Sequence, residues 1–342
     1  MSMLVTRRTV LQALPAAMLA ASSAPAWAAA ADSAVSHRKI AVNGITLHIA
    51  EQGQGPLVIL CHGWPESWAS WRHQMKALAA AGYHAVAPDM RGFGDSDAPE
   101  DIGAYSIAHT VGDMAGLVTA LGEKSATIVG HDWGAPVAWA AAQLRPDLFT
   151  KAIVLSIPFA PRGPTAPLQS LKSAGVTNYY WQYFQTPGVA EAELEKNVDL
   201  SMRAILYGRD VTLMLKPGLG FLGPDTPLAP RPDWLSEEDI GQVVATYSRT
   251  GFRGGLNWYR NIDRNWEISG AWDGLPIRQP VLFIAGEKDI VLLNPRVRAL
   301  VPAMAQTVPG LRKTVMIDGA GHWIQRERPA EVNAAMIEFL RQ

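Results

Sequence analysis

Short, β-rich apolar runs recur along this chain, separated by longer segments in which apolar residues return with helical spacing. Residues 56–61, 85–87, 126–129, 152–155, 281–284 and 314–317 read as strands of a sheet buried on both faces. Ahead of them, 39–42 and 45–49 flank Asn43-Gly44, a dipeptide suited to the positive φ of a two-residue hairpin turn. Residues 68–81, 109–121, 135–144 and 330–340 read as helices. Alternating strands and helices predict an α/β fold, a mostly parallel sheet with helices on both faces. The alternation breaks between Pro158 and Ile262, a stretch rich in helix formers, aromatics, Pro and Gly with no clear strand. Such a length is not a loop. It predicts a helical cap, 159–262, inserted over the sheet's carboxyl edge into a core of 31–158 and 263–342.

Composition narrows the class. The 342 residues carry 30 Lys and Arg against 31 Asp and Glu, with 48% apolar side chains and twelve Trp. That excludes a disordered or fibrous chain. The near-neutral balance provides no long-range attraction to nucleic acid or acidic lipid. Cys61 stands alone and the histidines are scattered, so neither a disulfide nor a metal site is expected. The dinucleotide fingerprint is missing as well, because Gly53-Gln54-Gly55 is followed by a strand rather than a helix, and no cofactor is expected.

The first thirty residues read as an address. They contain no acidic side chain, and Arg7-Arg8 precede an Ala/Leu-rich run ending in Ala26-Trp27-Ala28, a small-x-small cleavage pattern. The segment resembles a twin-arginine export signal, with Val10 and Gln12 where such signals often carry Phe and Lys. Pro15, Ser22, Ser23 and Pro25 make it a poor membrane span. Export of a folded protein to the periplasm or beyond is expected, with no stable anchor after cleavage.

The chemistry centres on Gly130-His131-Asp132-Trp133-Gly134, where the strand 126–129 runs directly into a helix. This is a small-x-nucleophile-x-small elbow, with glycines where a sharp turn leaves no room for Cβ. The helix amino terminus favours a negative charge, so Asp132 is expected to be ionised. Asp132 is also a candidate helix cap, but the complete elbow favours a nucleophile.

Here the sequence resembles the α/β-hydrolase superfamily, and within it the epoxide hydrolases and haloalkane dehalogenases. An Asp nucleophile forms an ester of the enzyme itself, which water must then cleave with the help of a base. His322, in Asp318-Gly319-Ala320-Gly321-His322-Trp323, follows the strand 314–317 and is the expected base. Asp289, after the strand 281–284, is the expected orienting acid, with Glu287 as the substitute. The order Asp132, Asp289, His322 matches the superfamily. Backbone N–H groups of Trp64 and Trp133 are the expected oxyanion donors, and the resemblance implies a cis Trp64-Pro65 bond.

The cap separates the two activities. An opening epoxide needs a proton donor for its alkoxide, whereas a halide needs only N–H donors. Residues 178–191 and 251–261 resemble the cap of the mammalian soluble epoxide hydrolases, which implies Tyr180 and Tyr259 as proton donors. Arg91-Gly92-Phe93-Gly94-Asp95-Ser96 is a further loop seen in these enzymes. The chain departs from the mammalian pattern at Trp181, where a polar amide stands there. Trp64, Trp133, Trp181 and Phe184 are expected to line the pocket, implying an apolar epoxide and water as reactants. A haloalkane dehalogenase, holding halide on the Trp133 indole, is the alternative.

Overall fold

Each expected run forms a strand in the computed structural model, which describes residues 34–208 and 213–342. In chain order these are β1 (Ser36–Val42), β2 (Ile45–Gln52), β3 (Leu57–Cys61), β4 (His84–Pro88), β5 (Ala126–His131), β6 (Phe149–Leu155), β7 (Val281–Gly286) and β8 (Leu311–Ile317). They join in one eight-stranded sheet, ordered β1-β2-β4-β3-β5-β6-β7-β8. β1 pairs antiparallel with β2 across Asn43 and Gly44, both at positive φ. β2 is also antiparallel to β4, and the remaining pairs are parallel. The export signal expected at 1–30 lies outside the described residues.

The central strands β3, β5 and β7 are buried along their whole length because both faces of the sheet are covered there, whereas the edge strands β1 and β8 carry exposed polar residues. Along β3, Leu57, Ile59 and Cys61 pack into the core on one face, Val58 and Leu60 into the core on the other. The helices Ile107–Ala120 and Gly134–Leu144 close the first face; Arg72–Ala80 and Pro329–Leu340 close the second. The helix expected at 68–81 is divided, with a 3-10 turn, Trp68–Trp71, ahead of Arg72–Ala80. Its first N–H groups turn aside to the carboxylate of Asp89 (3.0 Å from Trp68 N) and the hydroxyl of Ser67. The helix expected from 109 starts earlier, at Ile107, whose N–H is received by Asn265 Oδ1 at 2.7 Å.

Between β6 and β7 the described residues are mainly helical, with one isolated bridge among them, Tyr179 to Met214. Tyr180–Tyr183 and Arg253–Arg260 carry most of its aromatic cluster, and Glu237–Thr250 opens on a Ser236/Asp239 capping box. The helix Ile262–Ser269 is tied to Pro167–Ser173 by a bond from Leu168 N to Asp263 Oδ1, 2.9 Å. Polar ties hold this insertion to the sheet's loops. Arg72 meets Asp239 at 3.0 Å, the Trp323 indole donates to the carbonyl of Leu206, and that of Trp258 to the carbonyl of Arg91.

Arg91 shows why its loop has the sequence it does. Its guanidinium grips Asp113 through two bonds of 2.8 and 2.6 Å, with both side chains almost entirely buried. Arg91→Ala strands the Asp113 charge in the core. The expected loss, measured by denaturant unfolding, is about 3–5 kcal/mol, and a loss below about 1 kcal/mol would contradict a tight buried pair. No helix among the described residues is long and apolar enough to cross a membrane. Among the same residues, no cluster of three or more His, Cys, Asp or Glu side chains is placed to hold a metal.

Candidate active site

β5 ends at His131, the helix Gly134–Leu144 begins three residues later, and Asp132 occupies the bend with φ at +50°. A left-handed backbone at a residue with a Cβ is strained by about 1–3 kcal/mol, and it persists only where the surroundings enforce it. The glycines are part of that enforcement. A Cβ on Gly130 would run into the carbonyl of Gly134, and one on Gly134 into the carbonyl of Cys61.

The bend aims the Asp132 carboxylate at groups from two other loops. Oδ1 accepts the backbone N–H of Trp64 at 2.7 Å, from the loop after β3, where the Trp64-Pro65 bond is cis. Oδ2 lies 3.6 Å from Nε2 of His322, in the loop after β8. Burial alone would raise the Asp132 pKa. The hydrogen bond and charge of His322, then His131 and the Trp64 N–H, outweigh burial and hold the carboxyl below its ordinary value.

His322 stands between two carboxylates. Its Nδ1 is 2.9 Å from Oδ1 of Asp289, which follows β7, is fully buried and also accepts the N–H of Val291. Glu287, two residues earlier, is exposed and receives no contact from His322. Burial would depress the His322 pKa. The charge of Asp289 and the hydrogen bonds to Asp132 and Asp289 override it, holding the ring well above its usual range.

Side chains without a motif complete the arrangement. Ser156, at the end of β6, is buried, has φ at +73°, and places Oγ 3.1 Å from His322 Nδ1. His131 donates from Nε2 to the carbonyl of His322 at 2.8 Å and meets Glu66 Oε2 through Nδ1 at 3.0 Å. Gln325 donates to the same glutamate. Burial would raise the Glu66 pKa, but the hydrogen bond and charge of His131 keep it below its ordinary value. The strand that leads into Asp132 thereby pins the backbone of the His322 loop. In the sequence, His131 was visible only as a neighbour of Asp132 and Glu66 only as the residue after Pro65. Nothing in their spacing tells that the fold brings them together.

The insertion adds the phenols. The rings of Tyr180 and Tyr259 lie 5.7 Å apart, and Tyr259 meets the Trp133 ring edge-on at 4.9 Å. Burial is the main cause that raises both phenols well above the ordinary range, helped by the charges of Tyr179 and Asp132 at Tyr180 and of Tyr180 and Asp132 at Tyr259, so both hold their protons. Trp181 packs beside Tyr180, and Phe184 has no accessible surface and backs Trp64, Tyr180 and Tyr259. A cavity of about 350 Å³ reaches His322, with Leu206, Tyr207, Trp234, Lys288 and Trp323 among its walls. A carboxylate at a sharp bend, a histidine paired with a buried carboxylate, a backbone N–H on the first carboxylate and two neutral phenols form a set that can support attack on carbon followed by hydrolysis.

Comparison with known proteins places these features in company. Residues 56–329 match the alpha/beta hydrolase fold family. The chain is similar to epoxide hydrolase A of Mycobacterium tuberculosis, 44% identical over 90% of this chain and 98% of that one. It is also similar to bifunctional epoxide hydrolase 2 of Sus scrofa, 40% identical over 90% of this chain but 56% of the longer relative. Among solved structures, an epoxide hydrolase from an endophytic Streptomyces superposes with a TM-score of 0.84 at 44% identity, covering 90% of this chain and 95% of that one.

Proposed function

The chain belongs to the epoxide hydrolases of the α/β-hydrolase fold, and on that footing we propose that it converts an apolar epoxide to a vicinal diol through a covalent ester on Asp132. The observation that carries this reading is the division of labour between the two Asp132 oxygens. Oδ1 is held by the Trp64 N–H at 2.7 Å, and Oδ2 faces His322 at 3.6 Å. Oδ2 attacks an epoxide carbon, and Oδ1 becomes the ester's carbonyl oxygen, already seated where negative charge develops in the second step.

Tyr180 and Tyr259 hydrogen-bond the ring oxygen, and one of them supplies its proton as the carbon–oxygen bond breaks. Hydrolysis follows. Water loses a proton to His322, oriented by Asp289, and attacks the ester carbonyl, while the N–H groups of Trp64 and Trp133 stabilise the oxyanion. The helical insertion serves as the cap that brings the phenols to the nucleophile. The sequence of residues 1–30 supports export, with the periplasm as the place of action.

Ester formation also prepares the base. While Asp132 is ionised, it helps keep His322 protonated. Esterification removes that charge, the His322 pKa falls, and the ring becomes free to accept a proton. The deacylation rate, followed by rapid quench after one round of ring opening, is therefore expected to fall as pH drops through the ester-form pKa of His322. That inflection should lie below the pKa of His322 read by NMR in the resting enzyme. A deacylation rate indifferent to pH would exclude His322 as the base.

The phenols separate this function from dehalogenation. Tyr180→Phe combined with Tyr259→Phe is expected to slow single-turnover ring opening by about 10²–10⁴-fold. Halide displacement, which needs no proton, would be indifferent to both substitutions. Unimpaired ring opening in the double variant would remove the phenols from the mechanism.

A further inference from the structure

Trp181 follows Tyr180 in the short helix Tyr180–Tyr183, and its indole Nε1 is buried with no hydrogen-bond partner. A buried donor left unpaired is destabilising, and one beside a reacting group invites the question of what it waits for. The ring lies 6.1 Å from that of Tyr180 at 58°, and Tyr179 packs against it edge-on at 5.2 Å, holding the indole in place. Burial first, then Tyr179 and Asp132, hold the Tyr180 pKa high; the Trp181 indole N–H and the Tyr259 hydroxyl pull it down.

We propose that Trp181 is a positioning residue for ring opening: its indole N–H, which makes no well-aligned hydrogen bond while Tyr180 is a neutral phenol, closes onto the Tyr180 oxygen as that phenol gives its proton to the opening epoxide. This rests on the reading of Asp132 and Tyr180 given above. In the step, Asp132 Oδ2 forms a bond to carbon, the carbon–oxygen bond of the epoxide breaks, and the released oxygen takes the Tyr180 proton. Tyr180 is left as a phenolate. In deacylation, one proton of the attacking water passes through His322 to the leaving diol oxygen. The proton that His322 carries at rest passes to the Tyr180 phenolate once Asp132 is esterified, and the second water proton, shed as Asp132 returns to a carboxylate, restores the protonated His322. The phenolate exists only after proton transfer has begun, so a bond to it strengthens along the reaction and lowers the barrier rather than the ground state.

Two variants divide the donor from the ring. Trp181→Phe keeps an aromatic ring and loses the N–H; Trp181→Gln loses the ring and keeps a donor. Single-turnover ring opening, followed as ester in a His322→Gln background, is expected to slow on the order of 10- to 100-fold in Trp181→Phe and to be largely retained in Trp181→Gln. Adding Tyr180→Phe should abolish the effect of Trp181→Phe, because the acceptor is then gone. Ultraviolet titration of tyrosinate in a Tyr259→Phe background should place the Tyr180 phenol higher in Trp181→Phe than in its parent.

Should Trp181→Phe not fold, Trp181→Met against Trp181→Gln repeats the comparison of no donor with donor. Equal rates for the variants with and without the N–H, or equal slowing with and without the Tyr180 hydroxyl, would overturn the proposal. Absence of any ester in the His322→Gln parent is a different failure, because it defeats the Asp132 reading itself.

Discussion

In a His322→Gln variant, one equivalent of substrate is expected to stay bonded to Asp132. Ring opening does not need the histidine as a base, since the Asp132 carboxylate keeps the Trp64 N–H and the charge of His131 once His322 is gone, and the phenols supply the proton. The amide of Gln cannot take a proton from water, so deacylation should slow by about 10³-fold or more. The expected observation is a mass increase of one substrate on the intact protein, mapped to the peptide containing Asp132. The protein–substrate bond should form at nearly the rate seen in the wild type. Full turnover without an adduct would mean that water attacks the epoxide directly, and the two-step scheme would fall.

Asp132→Ala is expected to remove activity altogether, with a loss on the order of 10⁶-fold, the scale seen when a nucleophile is deleted from a cooperating set. The fold should survive, because the glycines around the bend and the helix Gly134–Leu144 are untouched. An isotope experiment on the wild type makes the same point without a mutation. One turnover in heavy-oxygen water should put the label in the Asp132 carboxylate, since water attacks the ester carbonyl and the diol receives an old Asp132 oxygen. Later turnovers release the label to product. Label in the diol of the first turnover, with an unlabelled protein, is the outcome that defeats the ester.

Much of this was readable before any coordinates. Apolar runs with no polar alternation identify the central strands buried on both faces, the Asn43-Gly44 turn identifies the hairpin of β1 and β2, and β1 to β8 lie on the expected segments. The elbow was legible because its glycines are a local steric demand, written within five consecutive residues. Asp289 and His322 could be singled out because each follows a strand, and strand ends converge on the same edge of a parallel sheet. Their assignment to the base, and the choice of the two phenols, came from resemblance rather than from spacing.

The remainder depends on contacts between segments far apart in the chain. Ser156 looks like any residue at a strand end until the fold sets its hydroxyl 3.1 Å from His322. Glu66 comes from the loop after β3, His131 from the end of β5 and Gln325 from the short helix Ile324–Glu327, and no periodicity links them. Trp181 reads as a bulky cap residue, and only packing against Tyr179 and Tyr180 leaves its N–H without a partner. By itself the sequence determined what local sterics and burial dictate: strands, helices, the bend at Asp132 and a carboxylate where that bend is sharpest. The tertiary structure alone decided which acid meets the histidine, which oxygen of Asp132 is held and which donors stand idle. Those are distances between segments, and a chain encodes them only through the packing of all its parts at once.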